Sequence, residues 1–373
     1  MKILHTSDWH LGAMDGERSL LEDQRFFIDE ISRVADENKV DALVIAGDVY
    51  DRSVASAEAI KLYDYAMKLF CAEKSMPVLV IAGNHDSAER LSTCSELLSK
   101  AGLHITGSLQ RIPEMVSVGD TDFYFLPWIT EEKVRSVYPE EKENITSLEE
   151  AYMVVTRKMK ETFREGRKHI VISHSFITDS ETSTSDRSAE IGFASQVSAR
   201  VFEGFDYVAL GHLHKGQNVT DKIRYSGTPM PYSFGKEESQ TKSVTIIDTD
   251  DMSQKIIPLS LLRMRTTLSG TLEEMLNPTC DEKTRNGYVR IRVTDSYIGL
   301  EALSALKKCY PNLLEASGKT FESENATVTM TADQLEEFES DPAEVFRYFC
   351  REEIGEEPDE RLISLFIKAT QED

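Results

Sequence analysis

Over the first two thirds of the chain, short apolar runs rich in β-branched residues alternate with stretches of helical periodicity. KILHTSD, DALVIAGD and PVLVIAGNHD read as strands, separated by helices predicted over about 20–38, 56–73 and 88–101. Such alternation predicts stacked β-α-β units around a largely buried sheet. FYFLPWI, a helix over about 147–165, HIVISHS, FDYVALGHLH, IRYSGTP and SVTIIDT follow with less helix between them. They predict a second sheet, and the fold class is an α/β, two-sheet sandwich.

Beyond residue 260 the pattern changes. TTLSGTLEEML, GYVRIRVTD and LEALSALKKCY predict a small α+β module over 261–340, and two amphipathic helices are predicted over 341–373, one carrying Val345, Phe346 and Phe349, the other Leu362, Leu365 and Phe366. Charge follows the same divisions. The net charge is -23, and residues 321–373 hold sixteen acidic against four basic side chains, whereas residues 261–320 hold nine basic against seven acidic. A chain this acidic does not coat nucleic acid unaided, because phosphate affinity comes largely from Lys and Arg. A partner or bound metal would have to supply positive charge.

No run approaches the roughly 18 to 20 apolar residues of a membrane span, and MKILHTSDWH lacks the features of a signal peptide. A soluble, cytoplasmic protein is expected. Five scattered cysteines (Cys71, Cys94, Cys280, Cys309, Cys350) without a CxxC pair argue against disulfides and zinc knuckles and are expected to be small buried residues. The Ser/Thr-rich segment 178–200 is expected to be a surface loop.

The chemistry concentrates at strand ends. Five strand-like runs finish on potential metal ligands: Asp8 and His10, Asp48, Asn84 and His85, His174, and His212 and His214. In open α/β sheets sites form at the carboxyl ends of strands, so these side chains should converge. Gly47, Gly83 and Gly211 immediately precede Asp48, Asn84 and His212, where glycine allows a sharp turn and close backbone approach. His5 lies inside the first strand and is expected to be a hydrogen-bonded core residue; His104 and His169 are expected on the surface.

Mixed Asp, Asn and His donors suit Mn²⁺, Fe²⁺ or Zn²⁺ better than Ca²⁺. So many ligands exceed the needs of one ion, and Asp48 could bridge two. Two ions about 3.5 to 4 Å apart can activate water and stabilise the attacking and leaving oxygens of a phosphoryl displacement. A dinuclear phosphoesterase is the chemistry that follows.

SDWHLG, AGDVYD, AGNHDS, ISHS and LGHLH resemble the five signature blocks of the calcineurin-like metallophosphoesterases. MKILHTSDWHLG, FDYVALGHLHKGQ and RYSGTPMPYSF further resemble the SbcD-type nuclease subunits of that family. The resemblance implies one metal held by Asp8, His10, Asp48 and His214 and a second by Asp48, Asn84, His174 and His212. It leaves His85 as the catalytic group over the phosphate, with Asp51 and Asp86 orienting imidazoles from behind.

The resemblance also implies two Mn²⁺ ions and cleavage of DNA, exonucleolytic on duplex ends and endonucleolytic on single strands or hairpins. The implied partner is an SbcC-like ATPase docked on the C-terminal helices, with a homodimer inside a heterotetramer and no membrane. The small module would cap the site and contact DNA through Arg285, Arg290 and Arg292. Two departures from the family pattern, Gly216 in place of a frequent proline and GKEE after YSF, are expected to affect loop geometry without touching a ligand. The competing reading is a small-molecule or protein phosphoesterase of the same superfamily, which the residues beyond 260 disfavour.

Overall fold

Alternation along each strand sets the layering of the molecule, which is represented by a computed structural model describing residues 1–16, 18–178, 180–183, 185–186, 196–296, 298–318, 347 and 361–363. In strand Ala42–Ala46, Leu43 and Ile45 enter one apolar cluster while Val44 and Ala46 enter another. Successive side chains point to opposite faces, so a strand apolar at every position must be covered on both.

The parallel strands of the first sheet are Lys2–Thr6 (β1), Ala42–Ala46 (β2), Val78–Ile81 (β3) and Leu103–Thr106 (β4), with helices Leu21–Asn38 (α1) and Ala57–Met67 (α2) between them. Next come Met115–Val118 (β5), Thr121–Leu126 (β6), Lys168–His174 (β7), Tyr207–Gly211 (β8), Gln217–Asn218 (β9) and Ile223–Tyr225 (β10), with helix Leu148–Lys160 (α3) ahead of β7. Ser243–Asp248 (β11) and Ser253–Pro258 (β12) return to the first sheet, whose order is β12-β11-β1-β2-β3-β4; the second runs β9-β10-β8-β7-β6-β5. The central strands β1 to β4 are mutually parallel, as are β6, β7, β8 and β10. All their carboxyl ends therefore emerge on one edge of each sheet.

Between the sheets lies a cluster of Ile3, Val44, Leu79, Ile81, Phe123, Phe125, Ile170, Ile172 and their neighbours. The outer face of the first sheet packs on α1 through Phe27, Ile28, Ile31 and Val34, spaced as a helix stripe requires. The outer face of the second packs on α3, whose start is fixed by a reciprocal capping box of Ser147 and Glu150. The expected two-sheet sandwich is thus the observed one.

The helix expected over 88–101 is broken. Ala88–Leu91 and Ser95–Leu98 are separate turns, with Cys94 between them in the left-handed region at φ 60°. Ser92 Oγ donates to Ala88 O at 2.6 Å and Thr93 Oγ1 to Glu89 O at 3.1 Å, so local side-chain bonds compete with the helical ladder. The four described cysteines are free and none is fully buried; Cys94 is exposed, contrary to expectation. His169 is also not a surface group: it is buried and stacks on Phe163 at 3.8 Å.

The chain divides into two compact units, Met1–Gly318 and Lys319–Asp373. Within the first, Arg265–Gly270 (β13), Tyr288–Val293 (β14) and Leu313–Ser317 (β15) form a separate parallel sheet with its own core of Val289, Ile291, Val293, Leu306 and Tyr310. Strand β15 is not among the strands expected from sequence, since LLEAS has no clear alternation. The C-terminal helices expected over 341–373 lie outside the described residues, apart from Arg347 and residues 361–363.

His5 ties the two sheets together. Its Nε2 faces Leu210 O at 3.1 Å and must donate, so Nδ1 accepts from the Tyr207 hydroxyl at 3.1 Å. The ring is neutral, as burial pushes its pKa down to about 3, with the Arg224 charge adding to the effect. An unfolded histidine takes a proton near pH 6.5, so the stability this neutral ring carries is complete above that value and is lost as pH falls toward 3. His5→Gln, which keeps a donor and an acceptor but does not titrate, should flatten the acid decline of stability by up to about 1.4 kcal/mol per pH unit in this window. Urea denaturation of both proteins at pH 7, 6 and 5 measures it; parallel declines would refute the assignment.

Candidate metal centre

The strand ends deliver their ligands through strained backbone. Asp8 (φ 53°), His10 (φ 44°), Asp48 (φ 48°) and His212 (φ 103°) are four of the eight non-glycine residues at positive φ among the described residues. Such conformations are sparsely populated for side chains of this kind and gather at functional sites. Here they turn each side chain back over the sheet edge immediately after β1, β2 and β8.

The glycines before the ligands leave room for this. A Cβ on Gly83 would lie 2.2 Å from Asp48 Oδ1, and one on Gly211 would lie 1.9 Å from Ala46 O. Gly47 has φ 88° and a Cβ there would meet His174 Nδ1 at 2.3 Å. The expectation of close backbone approach at these three positions holds.

The seven predicted ligands come together. His174 Nε2 lies 2.9 Å from Asn84 Oδ1 and 3.3 Å from Asp48 Oδ2, and His212 Nδ1 lies 3.2 Å from the same Asn84 oxygen. Asp8, His10 and His214 offer atoms within 4.8 Å of one another, and so do Asp8, Asp48 and His174. His10 Nε2 and His214 Nε2 are 3.1 Å apart, and His10 Nε2 lies 3.9 Å from Asp48 Oδ2. His85 joins the group with Nε2 3.9 Å from Asp48 Oδ2.

The donor atoms themselves test whether a cation fits. His174 Nδ1 donates to Ala46 O at 2.9 Å, which directs the Nε2 lone pair at two oxygens that also only accept. Converging acceptors repel unless a cation lies among them, and separations near 3 Å are those of donors about 2.1 Å from a shared ion. His10 Nδ1, buried, finds no hydrogen-bond partner. The same position draws positive charge: burial pulls the His174 imidazole down, yet the Asp48 charge and hydrogen bond carry it up to about 9, so a proton is held at Nε2 unless a metal cation takes its place; burial pushes Asp8 up to about 6. The cluster is a divalent metal site.

Of the residues expected behind the ligands, Asp51 lies 4.0 Å from His10 Nδ1, and its backbone carbonyl accepts from His85 Nδ1 at 2.8 Å. Among the described residues, Asp86 makes no hydrogen bond to an imidazole. Its carboxylate accepts from Val49 N, Tyr50 N and Gly83 N at 3.1, 2.9 and 2.9 Å, and so holds the two ligand turns rather than a ring. Arg285 and Arg292 are exposed on the small module, and Arg290 is engaged with Glu315 at 2.6 and 2.9 Å while lying over Phe234.

Several neighbours of the site carry no signal in the sequence. Trp128 stacks on His212 with centroids 5.3 Å apart. Ser185 and Asp186, from the segment expected to be a plain loop, reach His214: Ser185 Oγ lies 2.5 Å from Nδ1, and Asp186 Oδ1 accepts from the backbone N at 3.1 Å. Glu237, in the GKEE stretch, accepts from Ser185 Oγ and lies 3.9 Å from His214 Nδ1. That departure from the family pattern therefore does bear on His214, one of the predicted ligands. Its irregularity was the one available hint.

A two-sheet α/β sandwich presenting Asp, Asn and His from strand ends as a divalent metal site defines a metal-dependent phosphoesterase. Residues 1–216 match the calcineurin-like phosphoesterase family, and residues 260–353 match the type 5 capsule protein repressor C-terminal domain. The chain is 32% identical over 330 residues to the D subunit of the SbcCD nuclease of Staphylococcus epidermidis, covering 87% of each protein. It is 32% identical over 325 residues to that of Staphylococcus saprophyticus, covering 86% of each. A solved dimetal phosphatase from Danio rerio aligns with 70% of this chain and 99% of its own at a TM-score of 0.41 and 14% identity, too distant to bear on the site. The chain belongs to the calcineurin-like phosphoesterase family, in the branch of the SbcCD nuclease D subunits.

Gly83→Ala tests the close approach. Asp48 must yield to the new methyl, so divalent-ion affinity measured by calorimetric titration should fall by about tenfold or more. An unchanged affinity would mean that the Asp48 carboxylate is free to move.

Proposed function

We propose that this chain is a divalent-metal-dependent DNA nuclease that hydrolyses phosphodiester bonds as the catalytic subunit of an SbcCD-type complex. The observation that carries the reading is the convergence of Asp8, His10, Asp48, Asn84, His174, His212 and His214 at one sheet edge. Asp8, His10, Asp48 and His214 would hold one ion, and Asp48, Asn84, His174 and His212 the other, both Mn²⁺. Bound there, the ions supply water activated near neutral pH and neutralise charge on the phosphate.

The chain's own groups do the rest. His85 is oriented by the Asp51 carbonyl on Nδ1, which turns Nε2 toward the site, 3.9 Å from Asp48 Oδ2. From there it can donate a hydrogen bond to a phosphate oxygen and pass a proton to the leaving oxygen. Trp128, stacked on His212, walls the site.

We assign DNA as substrate and an SbcC-like ATPase as partner by likeness to the relatives, which are named as D subunits of the SbcCD nuclease. Exonucleolytic action on duplex ends and endonucleolytic action on single strands or hairpins are the modes we assign. The domain roles we propose with it are residues 1–260 as the nuclease, 261–340 as a cap that contacts DNA, and 341–373 as the docking segment for an SbcC-like ATPase. A homodimer within a cytoplasmic heterotetramer completes the reading; no described helix is long and apolar enough to cross a membrane. Arg285 and Arg292, exposed on the module, are better placed for phosphate than Arg290, whose guanidinium Glu315 occupies.

The purified chain, with and without the ATPase partner, should cleave a linear duplex and a hairpin in Mn²⁺ in preference to a small phosphodiester. A preference for the small ester would overturn the nuclease reading. His85→Gln should lower turnover by about 10² to 10⁴ while calorimetry still finds the metals bound. Loss of metal binding in that variant would make His85 a ligand instead of the catalyst.

A further inference from the structure

Glu237 stands in an unusual position for a carboxylate. It is 1% exposed and far in sequence from the ligands, yet it lies behind His214. Oε2 accepts from Lys242 Nζ at 2.8 Å and from Tyr232 N at 3.1 Å; Oε1 accepts from Ser233 Oγ at 2.8 Å and from Ser185 Oγ. Lys242 is itself buried, and its ammonium also donates to Thr228 Oγ1 at 2.8 Å and to the His214 carbonyl at 3.2 Å. The pair is anchored at both ends.

The direction of the hydrogen bonds is the informative part. A serine hydroxyl has one proton, and the ionised Glu237 can only accept, so Ser185 Oγ–H donates to Oε1. Ser185 Oγ then accepts from His214 Nδ1–H, 2.5 Å away. The chain Nδ1–H to Oγ–H to carboxylate leaves His214 Nε2 as a lone pair, and Nε2 is the atom facing His10. Asp186 does not replace this chain: it accepts from the His214 backbone N, and its Oδ1 stays 3.8 Å from Nδ1.

We propose that Glu237 is a positioning residue of the metal centre, acting through Ser185 to fix the tautomer and orientation in which His214 presents Nε2 to its ion. A carboxylate behind a ligating histidine raises the basicity of the ligand and removes its rotational freedom, and loss of such a partner typically weakens metal affinity by about 10- to 100-fold. The inference rests on the reading that His214 ligates.

Two substitutions separate this role from a merely structural one. Glu237→Gln breaks the charge end of the relay but also leaves Lys242 without its counter-ion. Ser185→Ala breaks the middle and leaves the Glu237–Lys242 pair intact; Ser185→Thr restores the hydroxyl. Mn²⁺ titrated calorimetrically into the full-length chain should show one of two binding events weakened by about 10- to 100-fold in Glu237→Gln and Ser185→Ala, and recovered in Ser185→Thr. The metal-free thermal midpoint of Ser185→Ala should match the unsubstituted chain. Unchanged Mn²⁺ affinity in Ser185→Ala, or no recovery in Ser185→Thr, overturns the proposal. Failure of the unsubstituted chain to bind Mn²⁺ at all overturns the metal reading on which it stands.

Discussion

The carboxyl edge of both sheets is organised by the burial of two carboxylates. Asp8 and Asp48 are at most 1% exposed, and an ionised carboxylate taken out of water costs several kcal/mol even after relaxation. Each must therefore be met by donors on all sides. Asp8 accepts from the His212 backbone N at 3.0 and 3.2 Å and from Ser7 Oγ; Asp48 accepts from His85 N at 2.9 Å. The first of these contacts crosses from the loop after β1 to the loop after β8. Solvating the charge and joining the sheets are one act.

That arrangement explains where the backbone is strained and where it is not. Four of the clustered residues sit at positive φ, a conformation that costs roughly 1 to 3 kcal/mol each, and all four lie in turns that leave the sheets. It is tolerated because the layers beneath are continuous apolar packing: the inter-sheet cluster and the two outer clusters against the helices. Asp86 shows the same division of labour. Three backbone amides from the turns carrying Asp48 and Asn84 point at its carboxylate, so one buried acid holds two ligand loops in register.

The sandwich and the convergence of the seven predicted residues were legible because their signals are local. An apolar run, a glycine and a polar residue of metal-ligand type recur at successive strand ends, and each triplet can be read without knowing the others. What was not legible lies in contacts between distant segments. Glu237 reaches the His214 ring through Ser185, which is 52 residues from it in the chain, and no periodicity marks it. Lys242 and Trp128 look like ordinary members of a loop and a strand flank. The break at Cys94 was hidden because serine and threonine satisfy a helical pattern while their hydroxyls undo the ladder. Strand β15 was hidden because half-buried strands of a small sheet need not alternate cleanly.

His212 and His214 show how far spacing goes and where backbone takes over. Two residues apart on a strand, side chains share a face, and both rings do reach the same cluster. But β8 ends at Gly211, and the 103° φ of His212 breaks the alternation between them. The rings consequently present different atoms to different neighbours. His212 offers Nδ1 to Asn84, its plane held by Trp128; His214 offers Nε2 toward His10, its Nδ1 held through Ser185. One short motif thus spans two donor groups, because a strained residue, not a regular strand, separates its histidines.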